Sequence, residues 1–97
     1  MPDFDSRQLP DHPDVTAPDG SDVRILLCRP GGSMAHFSLA PGRVSRAIRH
    51  RSVEEIWYVT AGAGQMWRSA GGPGEVVDLR PGLCLTIPVG VRFQFRA

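Results

Sequence analysis

The residues of this chain that could do chemistry together lie in one stretch, Gly42 to Gly64, which reads GRVSRAIRHRSVEEIWYVTAGAG. It carries the imidazole of His50, the carboxyl of Glu55 and the guanidinium of Arg46. A His and a Glu that share a pocket make an acid/base pair, because burial disfavours a charged carboxyl while a neighbouring imidazolium favours it. The same two residues can equally be a structural hydrogen bond with no chemistry. Arg46, if it points inward, must either pair with Glu55 or await an anionic ligand, since an inward arginine is rarely buried alone. His36, in the run MAHFSLA, is the other imidazole that could join them.

These side chains meet only if strands hold them. Successive strand residues point to opposite faces, so an inward His50 takes Ile48 and Arg46 inward and sends Arg49 out. Glu55, Trp57 and Val59 then share a face, as do Phe93 and Phe95. Ile48, Trp57, Met66, Phe93 and Phe95 would line the space as an apolar, aromatic floor suited to an aromatic or terpenoid-like acid. Such residues on inward faces also serve as ordinary core.

Eleven glycines and nine prolines punctuate the chain, ten and five of them from residue 23 onward. Between them fall VRILLCR, MAHFSLA, RVSRAIRH, EEIWYVT, QMWRS, EVVDL, LCLTI and VRFQFR, eight short strands with no convincing helix. Strands joined by such short turns specify an antiparallel sandwich or barrel. Residues 1–22 hold four of the prolines and no periodicity, so they read as an extended acidic arm, and residues 23–97 as the barrel.

Ninety-seven residues at 41% hydrophobic and 22% charged make one small globular domain. The net charge of +1 argues against a general nucleic-acid binder. It averages an arm with six Asp and one Arg against a remainder with ten Arg and four acidic residues. Arg43, Arg49 and Arg51 read as a solvated rim, and the Arg-rich surface, the chain's own or a partner's, is where the arm would lie if it is not free. Cys28 and Cys84 each sit in an apolar run and read as buried, reduced thiols. No apolar run has the length of a membrane span and the N-terminus is acidic, so a cytoplasmic protein is expected.

The spacing within the stretch resembles the first motif of the cupins. Gly42 is followed after seven residues by His50, after four more by Glu55 and after six more by Gly62. The family pattern is Gly, five residues, His-x-His, three or four residues, Glu, six residues, Gly. Here its first His is Ile48. The second motif, Gly, five residues, Pro-x-Gly, two residues, His, three residues, Asn, finds Gly82, Pro88 and Gly90 in place. Its His is Phe93 and its Asn is Ala97. The resemblance covers roughly residues 34–96 and implies an all-β fold, a cupin-like double-stranded β-helix (jelly-roll barrel).

In cupins that match fully, two His and the Glu of the first motif and the His of the second hold a divalent metal. Carried over, those positions are Ile48, His50, Glu55 and Phe93, so the resemblance implies a degenerate site in which His50 and Glu55 alone could coordinate Zn, Fe, Mn or Ni, with His36 as a third ligand. Three functions follow: a small cupin that binds an organic anion, a metal-dependent oxygenase or isomerase, or a non-catalytic binding or dimerisation module. Relatives carry a further strand beyond the second motif, whereas here the sequence stops at VRFQFRA. Either the chain is truncated or a partner completes the sheet, and a homodimer with strand or arm exchange is expected.

Overall fold

The computed structural model describes residues 4–97, so the first three residues of the arm lie outside it. Among the described residues the chain is all-β, antiparallel and without helix. Its strands are β1 (Val15–Thr16), β2 (Asp22–Arg29), β3 (Gly32–Ser38), β4 (Glu55–Tyr58), β5 (Gly64–Ser69), β6 (Glu75–Leu79), β7 (Cys84–Ile87) and β8 (Arg92–Arg96). They fall into two compact units, one ending at Ser38 and one spanning Leu39–Ala97.

In the first unit the sheet runs β1-β2-β3, with a register shift between Ile25 and Leu27. The arm is extended, and its Val15 and Thr16 pair with Val23 and Asp22. The backbone pairing reaches one residue further, with Asp14 N–H donating to the Val23 carbonyl at 2.8 Å, and before it Pro13 has no N–H to give. Side chains then take the place of backbone. Asp14 Oδ2 accepts the Ile25 N–H at 2.8 Å, and Arg7 donates to the Ile25 carbonyl. Arg24 donates to the carbonyls of Pro10 and Asp11 at 2.8 and 2.9 Å. An arginine thus anchors the arm, but through its backbone and not its carboxylates.

The second unit contains the pair β4-β7 and the sheet β6-β5-β8. Met66, Leu79, Leu85, Ile87, Phe93 and Phe95 form its buried core, with Ile48, Trp57, Val59 and Val91 packed against them. Alternation sets this arrangement. Glu55, Trp57 and Val59 are partly buried, while Ile56 and Tyr58 between them are exposed. The motif glycines Gly42, Gly62, Gly82 and Gly90 all have positive φ. Gly90, at φ 81°, adopts a left-handed conformation that a side chain would strain, and it turns the chain from β7 into β8.

Seven of the eight expected strands are present; RVSRAIRH is not a strand. It touches β8 through two isolated bridges, Val44 with Arg96 and Ile48 with Phe93, whose registers differ by one residue. The slip has a visible cause. Ser45 N–H donates to the Phe95 carbonyl at 2.8 Å, but Phe95 N–H donates back to the Ser45 hydroxyl at 3.0 Å and Gln94 Nε2 donates to the Ser45 carbonyl at 2.9 Å, so side-chain groups replace part of the regular ladder. Ser45 is buried as a result and Arg46 is exposed, contrary to the inward placement expected from Ile48 and His50. Cys28 and Cys84 are free, as expected, but exposed and not buried. Cys84 alternates with the buried Leu85 and Ile87 and so faces outward, whereas Cys28 lies in the end of β2, where Leu27, Cys28 and Arg29 are all exposed.

Candidate functional site

The first motif enters the second unit beside the second motif, backbone to backbone. Ile48 and Phe93 exchange two hydrogen bonds, at 3.0 and 2.8 Å, and Gly90 N–H donates to the His50 carbonyl at 2.9 Å. Two of the three positions at which the family places histidines, 48 and 93, therefore face each other as an apolar pair. Phe93 is only 1% exposed and belongs to the core. This fixes the backbone of His50, and its ring packs on Phe93 with centroids 5.6 Å apart.

From that position His50 Nε2 meets Glu55 Oε1 at 2.5 Å. The other carboxyl oxygen, Oε2, accepts the indole N–H of Trp57 at 3.0 Å. Trp57 in turn stands edge-on to Phe93 and Phe95, at centroid distances of 6.0 and 5.1 Å. An indole N–H only donates, so Oε2 must accept. With Nε2–H donated to Oε1, both oxygens of Glu55 are engaged and the His50 tautomer is fixed. Its Nδ1 has no hydrogen-bond partner among the described residues and is left to accept or carry a proton. Side-chain exposures of 29% for His50 and 22% for Glu55 leave the pair partly open to solvent.

Of the residues singled out from the sequence, His50, Glu55, Trp57, Ile48, Phe93 and Phe95 come together in one cluster, with Met66 fully buried in the core they share. Arg46 does not join them. His36 lies on β3 of the first unit, in register with Arg24. Two residues escaped the sequence reading. Ser45 carries no motif and acts through partners about fifty positions away in the chain. Arg68 does carry a signal, because the alternation that places Met66 inward places Arg68 on the same face.

A helix-free antiparallel unit that sets a histidine–glutamate pair against aromatic rings, between two glycine-punctuated motifs, defines a small protein of the cupin-like, jelly-roll class. Residues 35–97 match the family model of the cupin domain, and the chain belongs to that family. No curated protein and no solved structure matches it significantly.

Cupin domains often bind metals, so the fit of the residues here matters. Ile48 and Phe93 offer no donor atom, and among the described residues no group of three or more His, Cys, Asp or Glu side chains is placed to hold an ion. Two ligand atoms bound to one ion at about 2.0–2.2 Å in tetrahedral geometry lie roughly 3.3 Å apart. His50 Nε2 and Glu55 Oε1 are closer than that, in direct contact. As arranged, the pair fits a shared proton and not a shared metal.

Proposed function

We propose that this chain is a small cupin that binds a small organic anion with an apolar, aromatic-like body beside His50 and Glu55, and that the pair can exchange a proton with it. The observation that carries this reading is the His50–Glu55–Trp57 relay. Glu55 holds the imidazole in one tautomer, Trp57 holds Glu55, and Nδ1 remains available to a ligand proton. The partly exposed ring of Trp57 supplies the apolar wall, with Phe93 buried behind it. The preference for an anion rests on the surplus of arginine over acidic residues from residue 23 onward. Arg46, being exposed, adds nothing specific to it.

The test is a titration with a panel of aromatic carboxylic acids, following the Trp57 indole N–H and the His50 ring by NMR. At least one member is expected to shift both resonances saturably, and Glu55→Gln is expected to weaken that response by about tenfold. A panel that moves neither resonance at millimolar concentration sinks the reading.

A second reading, a non-catalytic binding or dimerisation module, draws on the complete burial of Met66 and Phe93, which fill the space behind the pair with the protein's own side chains. The partial exposure of His50 and Glu55 favours the first.

A further inference from the structure

Register places Arg68 opposite Glu75 on β6 and opposite Phe93 on β8, and Phe93 opposite Ile48. The row Glu75–Arg68–Phe93–Ile48 thus lies across one face of the sheet, and it is Arg68, not Arg46, that brings a guanidinium onto the face carrying the core. Its side chain is 19% exposed. Nη1 donates to the Thr86 carbonyl at 2.8 Å and Nη2 to Glu75 at 3.0 Å, but Nε is buried with no partner. Beside it lies a groove of about 370 Å³ lined by Arg68, Ser69, Glu75, Thr86, Pro88 and Val91, among others.

We propose that this groove binds the carboxylate of a small organic acid, with Arg68 as its bidentate anchor. The Nε–H and Nη2–H of an arginine lie on one edge of the guanidinium and match the two oxygens of a carboxylate. Glu75 uses half of that edge and leaves a buried charged donor unsatisfied, an arrangement that a better-placed carboxylate improves. Glu75 is also easy to displace. At 72% side-chain exposure, its ion pair with Arg68 is largely screened by solvent. Pro88 and Val91 give the groove an apolar side for the body of the acid, while Thr86 adds a hydroxyl; that of Ser69 already donates to the Gly72 carbonyl at 2.6 Å. The proposal does not depend on proton transfer at His50.

The test is titration of the full chain with benzoate, and with benzyl alcohol as its neutral counterpart, observing the Arg68 Nε–H and the Val91 methyl groups by NMR. Benzoate is expected to shift both saturably and benzyl alcohol neither. Glu75→Gln, which removes the competing carboxylate, is expected to tighten binding about three- to fivefold. Arg68→Met is expected to weaken it at least about tenfold. Should that variant fail to fold because the tie to Thr86 is lost, Glu75→Gln alone decides. An unchanged or weaker affinity in Glu75→Gln overturns the proposal, as does an equal response to the alcohol. Benzoate shifts confined to His50 and Trp57 overturn it too, while leaving the His50 site standing.

Discussion

Glu55 accepts hydrogen bonds from two different side chains, and this makes it the residue whose loss should be felt most. Glu55→Ala removes the acceptor of both His50 Nε2–H and Trp57 Nε1–H, so denaturant melts should show a loss of about 1–3 kcal/mol. Glu55→Gln keeps an acceptor for the indole and should lose less. A loss in Glu55→Ala below that range, matching Glu55→Gln, would mean that the contacts contribute little. Arg46 gives the opposite expectation. An inward Arg46 neutralising Glu55 would make Arg46→Met costly near pH 7, with a loss that shrinks on acidification. Exposed as it is, Arg46→Met should change stability by no more than about 0.5 kcal/mol at either pH. A pH-dependent loss of a few kcal/mol in the same melts would contradict its outward placement.

Among the elements, the segment from Val44 to Ile48 depends on Ser45, whose hydroxyl receives the Phe95 N–H in a buried setting. Ser45→Ala leaves that N–H without an acceptor and should cost about 1–3 kcal/mol, with Ser45→Thr milder if its extra methyl is accommodated. Equal stability of Ser45→Ala and wild type would show that the bridges alone hold the segment. The arm offers a parallel case. Asp14 and Arg7 cover the N–H and carbonyl of Ile25 in place of a paired strand, so Asp14→Ala should speed hydrogen exchange at the Ile25 amide, and no change would show that the arm does not protect that edge. Alternation and turn chemistry made seven strands legible in the sequence, down to the shared face of Glu55 and Trp57. They could not show the slip at Ser45, because it is made by side-chain groups meeting across about fifty residues, nor β1, which is too short to display a period. His50 and Glu55 were legible from motif spacing. Arg68 shares the parity of Met66, so its inward face is legible in the same alternation.

At the scale of the whole molecule, the absence of helix among the described residues should appear in far-ultraviolet circular dichroism, where a helical fraction above about a quarter would contradict the fold. No helix of the described residues is long and apolar enough to cross a membrane. Large apolar side chains stay exposed on both units, among them Ile25 and Met34 on the first and Ile56 and Tyr58 on the second. A homodimer that covers some of them, through strand or arm exchange, is the assembly we expect, and sedimentation equilibrium should return the mass of two chains. A concentration-independent monomer would contradict that. The central claim is that His50 and Glu55 form a proton-sharing pair and not the remainder of a filled metal centre. The most direct measurement is the long-range proton–nitrogen NMR spectrum of the His50 ring in protein purified without chelator, recorded before and after adding one. We predict a single tautomer with the proton on Nε2, hydrogen-bonded to Glu55, and a spectrum that the chelator leaves unchanged. A ring whose Nε2 carries no proton and whose resonances move when metal is stripped away would contradict the account.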